Sequence, residues 1–187
     1  MFARTERLLL RPGWSEDAPA LFHAIADEAI VRNLASAPWP YSPADAEAFL
    51  ARERDPTEPA ALIFLRRPGG PELIGTIGVG RRPDGDHEFG YWIARPHWGR
   101  GYATEAGRAV IAAARASLRL PRLTAGHFLD NPASGRVLEK LGFRPTGAVA
   151  QYFSAGRREA APCKLFSIDL LSAATVHATH ALELAAA

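Results

Sequence analysis

Between His87 and Leu118 the chain changes period, and that change constrains its fold more than any other feature. His87 to Ile93 (HEFGYWI) reads as a strand, Pro96 forces a turn, and Gly99 and Gly101 follow just before a helical pattern begins. From Ala103 to Leu118 the residues Ala103, Ala106, Val110, Ala113 and Ala114 fall on one side of a helix. A strand that passes through a glycine turn into a helix brings free N–H groups and a partial positive charge to the end of a sheet. Glycines at that point let a phosphate approach the donors closely. Arg100 adds a mobile cation, and the Thr104 hydroxyl is one more donor. The chemistry is that of a pyrophosphate cradle, although two glycines alone also make a plain tight turn. A P-loop needs Gly-Lys-Ser/Thr, and no lysine precedes Lys140. The dinucleotide fingerprint wants a third glycine in a parallel βαβ unit, which Gly99-x-Gly101 with Ala103 fits only loosely.

Around this unit the pattern predicts further elements. Thr5 to Arg11 reads as a first strand stopped by Pro12, and Ser15 reads as the cap of a helix carrying Leu21, Phe22, Ile25 and Ile30 inward. Ser42-Pro43-Ala44-Asp45 is a capping box that opens a helix expected to reach Arg54, with Phe49 and Leu50 inward. Ala60 to Leu65, Leu73 to Val79 and Glu88 to Ile93 form an antiparallel meander through turns at Arg67-Pro68-Gly69-Gly70 and Pro83-Asp84-Gly85-Asp86. Leu123 to Leu129 is a strand, Asn131-Pro132 a capped helix start, and Phe143 to Tyr152 with Pro162 to Leu170 a last hairpin. The order predicts one α+β domain over residues 5–170, a mixed sheet with helices on its faces, followed by a tail over 171–187.

Composition excludes more than it proposes. A net charge of +2 with scattered arginines argues against nucleic acid as the primary partner, since nucleic-acid binders cluster their cations on one face. The single cysteine, Cys163, rules out an internal disulfide and any multi-cysteine metal site, and its apolar surroundings read as packing. The six histidines show no metal spacing; His177 and His180 are two ligands at most, so no metal is expected. Three consecutive leucines near the N-terminus are too few for a signal core or a membrane span, so a cytoplasmic protein is expected.

Three motifs occur in order: Glu88-x-Gly90-Tyr91-Trp92, then Trp98-Gly99-Arg100-Gly101-Tyr102-Ala103-Thr104-Glu105-Ala106, then Asn131-x-x-Ser134 with Val137-Leu138-Glu139-Lys140-Leu141-Gly142-Phe143. Together they resemble the GNAT acetyltransferase superfamily, in particular its ribosomal-protein-alanine N-acetyltransferase branch, whose opening strand Thr5-Glu6-Arg7-Leu8-Leu9-Leu10-Arg11 also resembles. The resemblance implies a GNAT-like sheet, single, mixed and mostly antiparallel with a central splay, and acetyl-CoA as cosubstrate. It implies that the backbone of Tyr91, Trp92 and Ile93 receives the pantetheine arm at the splay. Gly99, Arg100, Gly101, Tyr102, Ala103 and Thr104 would wrap the pyrophosphate, and Asn131 and Ser134 would touch the cofactor nearer the thioester. Asn131 is also a plain helix cap, and the two roles are compatible. Two positions depart from the superfamily's pattern: Trp98 stands where Gln or Arg is common, and Leu138 where many relatives carry a tyrosine general acid. That leaves Ser134, Tyr152 or a water to supply the proton.

The implied reaction is attack of a neutral amine on the thioester. An alkylammonium must first lose a proton, and Glu88, beside the splay, is the candidate base; the competing role is a surface carboxylate paired with an arginine. The acceptor, a protein N-terminus or a small-molecule amine, would meet a pocket near Trp39, Tyr41, Tyr152 and Phe153, aromatics that core packing explains equally well. No membrane partner is expected, and a homodimer is left open. An acyl-CoA-binding sensor on the same fold, without turnover, is the alternative.

Overall fold

The computed structural model describes residues 1–171 except 54, 56, 57 and 83. His177, His180 and the rest of the tail lie outside the described residues, as do Arg54 and Pro83. Ala3–Arg4 (β1) and Leu8–Arg11 (β2) form an antiparallel hairpin. The expected unbroken strand from Thr5 is corrected: the Thr5 hydroxyl accepts the Leu8 N–H at 3.1 Å and Glu105 accepts the Arg7 N–H at 2.8 Å. Those backbone groups are thus drawn out of the ladder. Leu8 and Leu10 alternate into the core with no exposed surface.

Ser15 does not cap the first helix. Ser15–Asp17 is a single 3₁₀ turn, and Asp17 accepts the Trp14 N–H at 2.8 Å and both terminal nitrogens of Arg11 at 2.7 Å. The hydrogen bond from Arg11 holds the Asp17 carboxyl below its usual value against the opposing effect of burial. Ala18–Ile25 (α1) then stops, and Ile30 belongs to a separate helix, Glu28–Val31 (α2), because Asp27 caps a new start by accepting the Ala29 N–H at 2.9 Å. Pro43–Ala51 (α3) opens on the expected capping box of Ser42 and Asp45, but Arg52 is already extended, so the helix ends sooner than expected.

Ala60–Leu65 (β3), Glu72–Arg81 (β4) and His87–Ile93 (β5) are the meander. Tyr102–Ala116 (α4), Arg122–Phe128 (β6), Pro132–Lys140 (α5), Arg144–Ser154 (β7) and Glu159–Asp169 (β8) complete one sheet in the order β1-β2-β3-β4-β5-β6-β8-β7. Strand β8 lies between β6 and β7, so the last hairpin adds to the sheet by its second arm. Helices α4 and α5 cover one face, over a core holding Phe89, Ala106, Val110, Leu138 and Phe166. Helices α1, α2 and α3 cover the other, over Leu21, Ile25, Val31, Phe64 and Trp92. Each such large side chain contributes about 1.5–3 kcal/mol by leaving water.

Between β5 and β6 the strands run parallel and share one register pair, Glu88 with Thr124. The Thr124 hydroxyl reinforces it by donating to the His87 carbonyl at 3.2 Å. Beyond that pair the two strands part, and the gap between them is the expected splay.

Candidate functional site

The turn after β5 has the geometry its glycines predict. Gly99 and Gly101 adopt φ of +74° and +80°, values that residues with a Cβ rarely hold, and Gly101 is the cap residue of α4. The first bond of α4 runs from the Glu105 N–H to the Gly101 carbonyl at 3.0 Å. The N–H groups of Tyr102, Ala103 and Thr104 precede it and are left free within the helix. No atom lies within 4 Å of where a Cβ of Gly99 would sit, so the backbone is open to an approaching group. The side chains of Tyr102 and Thr104 are buried, while Arg100 is exposed.

An unexpected clamp holds the turn from outside. Glu105 accepts the Thr5 hydroxyl at 2.5 Å, the Arg7 N–H at 2.8 Å and the Arg7 Nε at 2.7 Å. Arg7 in turn donates to the Arg100 carbonyl at 3.0 Å and lies 4.6 Å over the Tyr102 ring. Burial alone would raise the Glu105 carboxyl; the hydrogen bonds from Thr5 and Arg7 outweigh it and hold the group below its usual value.

One cavity of about 620 Å³ starts at this turn, passes through the splay and opens on the far face of the sheet. Its walls include Tyr91, Trp92 and Ile93 of β5, Gly126, His127 and Phe128 of β6, and Asn131 and Ser134 at the start of α5. Asn131 does cap α5, its side-chain oxygen accepting the Ser134 N–H at 3.3 Å. The Trp98 indole donates to the Ile93 carbonyl at 2.6 Å, so that carbonyl has a partner from the turn itself. Trp98 therefore ties the glycine turn to the end of β5.

Glu88 and Ser134 line the same cavity from opposite sides. Side chains alternate along a strand, so Glu88 and Trp92 share one face of β5 while Tyr91 points to the other. Gly78 and Gly90 are opposite each other on the Glu88 face; the space over Gly90 is open, while Pro59 and Ala60 fill that over Gly78. Glu88 is partly exposed and pairs with Arg82 at 3.2 Å, and Arg82 also donates to the Tyr152 hydroxyl at 2.6 Å. The arginine pairing weighed from sequence is thus present, at a carboxylate that faces the cavity. On the other side the Tyr91 and Ser134 hydroxyls are 3.0 Å apart. Burial pushes the Tyr91 phenol up to about 12, with the Ser134 hydrogen bond acting the opposite way. Leu138 is buried in the core and takes no part.

Of the four aromatics expected around the acceptor, only Tyr152 lines the cavity. Tyr41 is buried with α1 and α3, Trp39 packs against the same cluster, and Phe153 is exposed. The wall there is built instead from Asn33 to Ser36, Phe49 and Leu50. The β7–β8 turn pins residues 32–35: the buried Ser154 hydroxyl is 2.8 Å from the Leu34 carbonyl and 3.2 Å from the Arg32 carbonyl, and Arg157 reaches the Arg32 carbonyl at 2.6 Å. Arg157 also holds both oxygens of Asp130 at 2.8 Å, which keeps that carboxyl below its usual value despite its partial burial. Cys163 lines the cavity too, and burial, helped by the charge of Glu88, pushes its thiol up to about 11, which is packing rather than nucleophilic chemistry. Among the described residues no group of three His, Cys, Asp or Glu is placed to hold a metal ion, and no helix is long and apolar enough to cross a membrane.

Comparison with known proteins agrees with this geometry. Residues 7–144 match the family described as acetyltransferase (GNAT) domain. The chain belongs to that family. As a GNAT protein it is an acetyl-CoA-dependent N-acetyltransferase, moving an acetyl group to an amine. It is 33% identical over 155 residues to the uncharacterized N-acetyltransferase YoaA of Bacillus subtilis, covering 79% of this chain and 85% of that protein. Among solved structures, a GNAT-family acetyltransferase from Bacillus anthracis superposes with a TM-score of 0.77 at 22% identity, over 91% of this chain and 99% of that one. RimL, a ribosomal L7/L12 α-N-protein acetyltransferase solved with coenzyme A, superposes with a TM-score of 0.72 at 17% identity, over 90% and 98%. At those identities the two structures speak for the fold. The Arg7–Glu105 clamp, Arg157 and the contact of Arg82 with Tyr152 were missed from sequence because those partners are far away along the chain and form no local pattern.

Proposed function

We propose that the protein acetylates a primary amine, a protein N-terminus or a small molecule, with Glu88 as the base that deprotonates it. The observation that carries the reading is the continuous cavity running from the Gly99–Gly101 turn through the splay to Glu88. Acetyl-CoA would supply the acetyl group as a reactive thioester. Its pyrophosphate would be held by the free N–H groups of Tyr102, Ala103 and Thr104 with Gly99, Gly101 and Arg100 beside them. The pantetheine arm would follow the backbone of Tyr91 and Trp92, with Asn131 and Ser134 across the gap. The open space at Gly99 and at Gly90 suits a long, thin ligand of that kind.

An amine entering from the side of Leu34 and Phe49 meets Glu88, which takes its proton directly or through one water. Arg82 keeps that carboxylate oriented toward the cavity. Negative charge building on the carbonyl oxygen would be met by a backbone N–H of the Tyr91–Ile93 stretch. Ser134, backed by a Tyr91 phenol that stays protonated, is the proton donor on the opposite side.

Replacing Glu88 with Gln tests the assignment. Gln keeps the shape and removes the proton acceptor, so turnover should fall roughly 10²–10⁴-fold while acetyl-CoA affinity stays within about twofold. The loss should shrink at high pH, where more amine is already neutral. Turnover equal to wild type across the pH range would return Glu88 to an ordinary partner of Arg82. A mass-spectrometric screen of amines and N-terminal peptides identifies the acceptor used in that assay.

A further inference from the structure

Glu88 and Thr124 are register partners on one face of the sheet, so Tyr91 and His127, each three residues further along, both point to the other face, toward α5. The contacts with α5 agree. The Tyr91 hydroxyl meets Ser134, and the His127 ring lies against Gly135, where a Cβ would come within 2.6 Å of Nε2. Tyr91, Ser134 and His127 all line the cavity. The neighbouring carbonyl fixes where the imidazole keeps its hydrogen. Nδ1 is 2.8 Å from the Phe128 carbonyl, which only accepts, so Nδ1 carries a hydrogen in either charge state. Nε2 has no hydrogen-bond partner among the described residues, yet it is not sealed from solvent. The ring therefore gains and loses its second proton at Nε2 alone.

That position answers a need of the leaving group. A Ser134 that gives up its proton is left as an alkoxide unless another group resupplies it. Tyr91 cannot do so near neutrality, because burial pushes its phenol up to about 12. Imidazole is the side chain that exchanges a proton in that range. The other charged groups nearby are otherwise placed: Lys164, across from His127 on β8, sets its ammonium 5.6 Å over the Phe166 ring, and Asp130 is held by Arg157.

We propose that His127 is the proton source for the departing thiolate, acting at Nε2 over the Ser134 hydroxyl. The inference rests on the coenzyme reading of the cavity and puts a donor behind Ser134. As the tetrahedral intermediate collapses, the C–S bond breaks and its electron pair stays on sulfur. Sulfur takes the Ser134 proton, the serine oxygen takes the Nε2 proton, and the ring is left neutral with its hydrogen on Nδ1. Coenzyme A leaves as the free thiol, and Nε2 takes a proton from water before the next turnover.

Two substitutions test this in the full chain. His127→Asn can still donate to the Phe128 carbonyl but has no atom at Nε2, whereas His127→Gln places an amide there that hydrogen-bonds without exchanging a proton. Nitrogen NMR of the wild-type imidazoles, with the His127 signals identified by their loss in His127→Gln, should show the Nδ1–H form. Nε2 should shift further with coenzyme A than with desulfo-coenzyme A, in which hydrogen replaces the thiol. Single-turnover acetyl transfer to the amine found by the screen should slow roughly 10²-fold in both variants, with coenzyme A affinity within about twofold of wild type. The wild-type rate should fall on the alkaline side as the imidazolium is lost, and neither variant should show that fall. A wild-type rate in His127→Gln, an alkaline fall that survives both substitutions, or an Nε2 signal indifferent to the sulfur would overturn the proton role and leave the coenzyme reading intact. If coenzyme A does not bind the wild type, that reading falls, and this inference falls with it.

Discussion

Glu105→Gln is the most informative perturbation of the frame around the site. The Glu105 carboxylate accepts two hydrogen bonds at Oε1 and one, from Arg7 Nε, at Oε2. A Gln carbonyl can keep the Thr5 and Arg7 backbone donors, but its NH₂ then faces the Arg7 guanidinium, donor against donor. One charge-assisted bond is lost, worth roughly 1.5–3 kcal/mol. Arg7 is 42% exposed and regains water, which keeps the cost near the lower end, about 2 kcal/mol. For a domain of this size that is a fall in Tm of roughly 4–8 °C. The pH dependence has a definite sign. The folded carboxyl lies below its ordinary 4.5, so its contribution is complete above that value and is lost as pH falls through the lower folded one. Urea unfolding of both proteins should thus give a constant gap near neutrality that narrows on acidification below 4.5. A gap under about 0.5 kcal/mol at neutral pH, or one that widens in acid, would refute the account, since a charge-assisted bond should cost more than that. Because Arg7 also holds the Arg100 carbonyl, coenzyme A affinity should fall in the same variant.

Gly101→Val puts a branched Cβ on a residue at φ +80°, straining the turn and covering the helix N–H groups; calorimetry should show at least a tenfold, order-of-magnitude loss of acetyl-CoA affinity in a protein that still unfolds cooperatively, and unchanged affinity would remove the turn from the binding site. Asn131→Ala deletes the cap on the Ser134 N–H and should cost about 0.5–2 kcal/mol of stability. The Michaelis constant for acetyl-CoA should rise as well, and a change confined to melting would leave Asn131 as a cap only.

The parts of the molecule legible in the sequence were those written locally. The turn at Gly99 and Gly101, the cap at Asn131 and the box at Ser42 each depend on neighbours a few residues away, and all three stand where expected. Thr5 to Arg7 looked like strand because its composition is strand-like, yet Glu105, remote in sequence, draws those groups out of the ladder. Asp27 split the first helix by a cap that competes with an apolar stripe continuing to Ile30. On the acceptor side the sequence left a pocket role and core packing equally open for Trp39 and Tyr41, and the burial of Tyr41 against α1 and α3 is a tertiary fact. Glu88 was legible as a cavity residue, and its pairing with Arg82 was legible only as a class of outcome.

The lone register pair of Glu88 with Thr124 gives the sheet something sheets normally avoid, an interior edge. Unpaired strand edges invite other chains to add, and here the cavity through the opening is walled by Tyr102 and Ala103 of α4, Ser134 of α5, and Phe49 and Leu50 of α3. On the proposed reading the pantetheine arm, a narrow, extended chain with amide groups of its own, would enter there as a surrogate strand. The pairing groups on the protein side are main-chain atoms, which no point substitution removes. On the same reading, mutation along Tyr91 to Ile93 would reshape the walls of the slot while its hydrogen-bonding rail persists, and acceptor preference would be free to drift on a fixed means of holding the acyl donor.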